Sequence, residues 1–140
     1  MDLGNGFRMK IREARSSDIN TIVKIIKLNN QFSFTEVDGS EAMQRVINCK
    51  AAIFLVYEIN REVVGIIRGV YDGSRALIHQ LSVHPTYQKR GIGTSLVMHI
   101  ISKFQQLGAL TVSATITERS APFWYHIGFK KTEAFLVGNW

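Results

Sequence analysis

The residues best suited to chemistry sit in one short stretch, Gln88-Lys89-Arg90-Gly91-Ile92-Gly93-Thr94, just after His84-Pro85 and just before an apolar periodic segment. A helix beginning there has its first backbone N–H groups unpaired, and its dipole makes that end positive. Gly91 and Gly93 carry no Cβ to keep a pyrophosphate from those amides, and Lys89 and Arg90 add positive charge, so the stretch reads as a phosphate cradle. It is neither of two common phosphate loops. A Walker loop needs Gly-Lys-Ser/Thr after four intervening residues, and a dinucleotide fingerprint needs a third glycine where Leu96 stands. Ahead of the cradle lies His79, a residue type that titrates near neutrality. Strand alternation puts it on one face with Leu77, Leu81 and Val83, so from the residues alone it reads as a core histidine bonded to a carbonyl. Cys49, the only cysteine, excludes an internal disulfide and offers no zinc cluster. It reads as a small buried apolar residue in a helix, not a nucleophile.

Such a cradle needs a strand before it and a helix after it. Residues 76–83 form an apolar run stopped by Pro85, and Leu96, Val97, Ile100, Ile101 and Phe104 recur at helical spacing until Gly108. Residues 9–15 alternate as a first strand. Ser16-Ser17-Asp18 supplies side-chain oxygens to cap a helix with an apolar face of Ile19, Ile22, Val23 and Ile26, ending near Asn29-Asn30. A second helix carries Ala42, Met43, Val46 and Ile47. Residues 31–39 between them, with Phe32, Phe34, Glu36 and Asp38, are predicted to form an acceptor wall. Residues 52–59 and 62–71 are β-branched-rich runs separated by Asn60-Arg61, a hairpin, and Asp72-Gly73-Ser74 turns the chain again. The remaining prediction is a strand over 110–116, a short helix over 119–127 closed by Gly128, and a final strand region over 129–137.

A chain of 140 residues is the size of one domain, and 46% apolar with 20% charged residues describes a globular one. Residues 1–6 are polar and glycine-bearing and are expected to be loose. The net charge of +6 comes from scattered basic residues, not a stripe with interleaved aromatics, so nucleic acid is not an expected partner. No apolar run approaches the ~20 residues of a membrane span, and no signal-peptide core opens the chain. A cytoplasmic protein with no metal and no membrane partner is expected; a homodimer stays open.

Two segments together carry a family resemblance. Gln88-x-x-Gly91-x-Gly93, with Leu81-Ser82-Val83-His84-Pro85 before it, resembles the acetyl-coenzyme A signature of the GNAT family, the Gcn5-related N-acetyltransferases. About thirty residues later, Phe123-Trp124-Tyr125-His126-Ile127-Gly128-Phe129 resembles that family's Phe-Tyr-x-x-x-Gly-Phe segment. The resemblance implies an α/β GNAT fold: a central mixed, mostly antiparallel sheet, splayed at the cofactor site and flanked by about four helices. It also implies acetyl-coenzyme A as co-substrate and direct acetyl transfer to an amine in one ternary complex. The implied cofactor contacts are Leu81, Ser82, Val83, Gln88, Lys89, Arg90, Gly91, Ile92, Gly93, Thr94 and Trp124, with a backbone N–H near residues 81–83 polarising the carbonyl.

The implied catalytic candidates are His79, Glu118 and Tyr125. The run Leu77-Ile78-His79-Gln80-Leu81 resembles the strand of arylalkylamine N-acetyltransferases, where two histidines line a proton path; His79 matches the second and Leu77 replaces the first. Glu118, beside Thr117, reads as a second-choice base or as a solvated acid capping the helix after it. His84 reads as structural and His126 as exposed. Trp124 stands where the family's acidic tyrosine usually does, and Tyr125 lies one residue later, rotated by ~100° on a helix. The rival from another class is a non-catalytic acyl-coenzyme A sensor on the same fold.

Overall fold

The computed structural model describes residues 8–132 and 137–138. Among the described residues five strands form one sheet in chain order, β1 (Met9–Glu13), β2 (Ala52–Ile59), β3 (Glu62–Tyr71), β4 (Ala76–Val83) and β5 (Val112–Ala114). Neighbours are antiparallel except for the parallel pair β4 and β5, as the intervening helix crossover requires. β2 and β3 meet through Asn60 and Arg61, both at positive φ (50° and 69°), the paired left-handed geometry that matches the twist of a hairpin.

Helices cover both faces. On one, α1 (Ile19–Leu28) and α3 (Ser40–Asn48) pack Ile19, Ile22, Ile26, Ala42 and Met43 against Phe54, Val56 and Ile66. On the other, α4 (Ile92–Gln106) lays Ile92, Leu96, Val97, Ile100 and Phe104 across Leu55, Ile67 and Ile78. Each such fully buried side chain contributes about 1.5–3 kcal/mol of transfer free energy. Two shorter helices, α2 (Thr35–Asp38) and α5 (Ala121–His126), flank the ends of α3 and α4's face.

Several boundaries differ from the sequence reading. The first strand ends at Glu13, not at residue 15, and Asp18 does not cap α1. Ser16–Asp18 instead form a 3-10 turn in which Asp18 accepts from Arg15 N (2.7 Å) and from both Nη atoms of Arg12 (2.7 and 2.9 Å). Burial opposes the ionisation of Asp18, but the bonds from Arg12 and Arg15 outweigh it, and its carboxyl stays below the usual carboxylate range. The strand expected over 110–116 is only Val112–Ala114, because it loses its partner beyond Ala114 and Leu110 is 96% exposed. The helix expected over 119–127 is a 3-10 turn (Glu118–Ser120) running into α5. Residues 129–132 and 137 carry no strand; 133–136, like the tail over 1–7, lie outside the described residues. Cys49 is exposed and follows α3 as its C-cap; it is neither buried nor inside the helix.

Candidate active site

The site is organised by one irregularity in β4. Arg68 faces Gln80 and Gly69 faces Ile78, so His79 is an extra residue without a partner on β3, a β-bulge. Gly69 permits it: a Cβ there would stand 2.5 Å from the Leu77 carbonyl oxygen and 3.0 Å from Phe104. The bulge resets the alternation. Ala76 and Ile78 before it and Leu81 and Val83 after it all join the core beneath α4, whereas Ser82 turns to α1, where its Oγ accepts from Asn29 Nδ2 at 2.8 Å. His79 therefore does not share a core face with Leu81 and Val83, and it is exposed. Its imidazole has no hydrogen-bond partner among the described residues, so the core-histidine reading is corrected. Partial loss of water, followed by the nearby Arg68 charge, holds its pKa below the ordinary imidazole value, which leaves it neutral at pH 7.

The same reset aims the backbone. His84 N donates to Val64 O at 2.8 Å, so by antiparallel alternation the peptide groups of Gln80, Ser82 and His84 face β3, and those of Leu81 and Val83 face away. On that far side β5 pairs β4 only from Ala76 to Ile78, and the last bond is Thr115 N to Ile78 O at 2.9 Å. Beyond it the two strands part. Three side-chain amides occupy the carbonyls on the open edge: Gln31 Nε2 donates to Leu81 O (3.0 Å), and Asn29 Nδ2 (2.8 Å) and Gln88 Nε2 (2.9 Å) donate to Val83 O. The N–H groups of Leu81 and Val83 are left facing a gap that no described strand fills.

At the mouth of that gap the chain makes a 3-10 turn, Pro85–Tyr87, with His84 Nδ1 accepting from Thr86 N at 3.1 Å and the His84 ring edge-on to Tyr87. His84 is thus a structural cap. Lys89 (φ 63°) and Gly91 (φ 84°) are both left-handed, and Gly91 is the N-cap of α4. A Cβ at Gly91 would meet nothing within 4 Å among the described residues, so the start of α4 is uncrowded there. Gly93 also has a packing role. A Cβ on it would lie 3.3 Å from Phe123 and 3.7 Å from Leu81, so it lets α5 close over the start of α4 and onto β4. Gln88, Lys89, Arg90 and Thr94 are exposed, Arg90 lies over the Tyr87 ring at 5.3 Å, and Ile92 is buried, leaving only its backbone for a ligand.

Trp124 is 4% exposed, wedged edge-on between Phe123 (5.1 to 5.3 Å between centroids on its two sides) and Phe129. Tyr125, one step around the helix, is 48% exposed. Trp124→Phe removes part of a buried aromatic stack and is expected to cost about 1 to 2 kcal/mol in denaturant unfolding, with an unchanged m-value. Glu118 is exposed at the start of its 3-10 turn and is not the cap. Thr117 is, with Oγ1 accepting from Ser120 N at 3.3 Å.

The match to a family model decides the family: residues 23–129 fit the acetyltransferase (GNAT) family. The chain belongs to that family. The fold agrees. A transcriptional regulator from Bacillus halodurans C-125 superposes with a TM-score of 0.82 at 23% identity, covering 95% of this chain and 100% of that one. PaiA N-acetyltransferase from Thermoplasma acidophilum, in complex with coenzyme A, gives 0.80 at 17% identity, with 91% and 93% covered. Ard1 from Thermoplasma volcanium gives 0.77 at 23% identity, with 89% and 84% covered. In this GNAT chain Gly93, Leu81 and Phe123 meet at the start of α4, whose N-cap is Gly91. His79 lies further along β4 at the bulge, while Glu118 and Tyr125 are exposed on the β5 side. Sequence reading missed Asn29 and Gln31, whose only signal was a run of amides, Asn29-Asn30-Gln31, at a helix end, and it missed Arg68.

Proposed function

We propose that this protein is an N-acetyltransferase that moves the acetyl group of acetyl-coenzyme A directly onto a primary amine within one ternary complex, in one cytoplasmic domain spanning the chain. What supports the donor is the combination of a parted β4 and β5, two peptide N–H groups in the gap, and an uncrowded left-handed glycine opening α4 beside it. The residues present fit such a group: the α4 N-terminus with Lys89 and Arg90 holds pyrophosphate, and the β4 edge holds the extended arm. When bound, acetyl-coenzyme A supplies an activated thioester. The Leu81 or Val83 N–H donates to the thioester carbonyl oxygen and stabilises the charge that grows there.

The chain's other task is proton removal. An amine of pKa ~10.4 costs roughly 4 to 5 kcal/mol to keep neutral at pH 7, whereas a thiol of pKa ~8.5 needs only about 2 kcal/mol of help to leave as thiolate. His79, neutral and unpartnered, takes the amine proton as the N–C bond forms and the C–S bond breaks. Cys49, exposed at the end of α3, plays no part. Because Trp124 cannot release its indole proton and Tyr125 points outward, water protonates the departing sulfur. Tyr125→Phe is therefore expected to keep most of its turnover and the alkaline limb of its pH profile; a hundredfold loss with cofactor binding intact would make Tyr125 the acid.

The test is a thermal shift with acetyl-coenzyme A followed by a thiol-release assay over an amine panel. Stabilisation by several degrees and release above background hydrolysis are expected. Stabilisation without turnover of any amine would favour the acyl-coenzyme A sensor, a reading to which the buried Trp124 lends some weight.

A further inference from the structure

The α4 side of the sheet accounts for the donor, which leaves the face beneath α1 and α3 for the acceptor. Arg68 stands on that face, opposite Gln80 and beside the bulge. Its Nε donates to Gln80 Oε1 at 3.0 Å, which turns the side chain toward β4, and nothing among the described residues accepts from Nη1 or Nη2. The guanidinium is largely withdrawn from water, and on β2 Arg68 faces Phe54. Asp38 lies near enough to help hold its charge but forms no ion pair with it; Asp38 is buried, with its Oδ2 accepting from Ser33 N at 2.7 Å. A desolvated guanidinium with its outer edge unused is costly to maintain, and that edge is a planar fork shaped for a carboxylate or phosphate.

A second unmatched group is tied to the next residue of β4. Gln31 Oε1 is buried without a hydrogen-bond partner among the described residues. The Leu81 carbonyl fixes its orientation, since only the NH₂ end can donate there, so Oε1 is available purely to accept. Arg68 is held by the side chain of Gln80 and Gln31 by the backbone carbonyl of the next residue, Leu81.

We propose that the acceptor is an amine that also carries an anionic group, carboxylate or phosphate, with the anion on the two outer nitrogens of Arg68 and an amine N–H donated to Gln31 Oε1. This rests on the acetyltransferase reading. It assigns Arg68 as the residue that sets acceptor class, and Gln31 as the residue that places the nitrogen between the bulge and the Leu81 amide.

The test is the kinetics of thiol release with matched acceptors, amino acids against their carboxamides and phosphoethanolamine against ethanolamine. In the unaltered protein kcat/KM should favour the anionic member of at least one pair by about tenfold to a hundredfold, the first pair reporting carboxylate and the second phosphate. In Arg68→Gln that ratio should collapse toward one, mainly through KM, and Arg68→Lys should restore part of it. The thermal shift with acetyl-coenzyme A shows that each variant is folded. Equal rates within every pair, or a ratio unaltered in Arg68→Gln, overturns the inference and leaves the acetyltransferase standing. Absence of thiol release with every amine overturns both.

Discussion

Gly91→Asp is expected to lower acetyl-coenzyme A affinity by at least a hundredfold in calorimetry while leaving a folded protein. Two effects act together. The residue sits at φ 84°, where a side chain costs about 1 to 2 kcal/mol, and Asp tolerates that region better than most. No atom of the described residues lies within 4 Å of the new Cβ, so steric damage to the fold is not expected. The larger effect is electrostatic: the carboxylate occupies the positive end of α4, takes the N–H groups that phosphate would use, and repels the phosphate that arrives. Gly91→Asn carries the same backbone strain without the charge and should lose far less. Unchanged affinity in a folded Gly91→Asp would remove the start of α4 from the cofactor site.

Why some of this was legible and some not follows from the range of the interactions. The limits of β2, β3 and β4 were readable because local turn chemistry sets them: Asn60-Arg61 takes positive φ at both positions, and Asp72 Oδ1 accepts from Ser74 N and Arg75 N. The start of α4 was readable because glycines at a helix start have a local meaning. The end of β5 was not, since Ile116 is apolar and looks like strand, yet its partner strand has already diverged. The face of His79 was misjudged because alternation counts every residue as one step, and a bulge inserts another. A lone glycine inside an apolar run, Gly69, was the available sign of that bulge. Asn29 and Gln31 act on residues more than fifty positions away or close to it, and no spacing rule links a helix end to the edge of a distant strand.

His79→Ala is expected to lower turnover at pH 7 by about one to three decades and to move the pH optimum upward. The sign follows from the charge states. With its pKa held below the ordinary imidazole value, first by loss of water and then by Arg68, His79 is in its proton-accepting form throughout the neutral range. The acid limb of the profile then lies low, because the protein does not wait for the amine to lose its proton unaided. Without the imidazole that loss must come from solvent, and the rate rises toward the amine's own pKa of ~10.4. A structural role predicts something else. His79 is exposed on a bulge with no hydrogen-bond partner among the described residues, so its removal should change stability by only about 0.5 kcal/mol. Loss of activity at constant stability, with the limb displaced, identifies a proton acceptor; a heat-sensitive variant with an unaltered profile does not. Glu118→Gln supplies the comparison: exposed at the start of its turn, it should leave the limb in place, and if Glu118→Gln moves it while His79→Ala does not, Glu118 is the base.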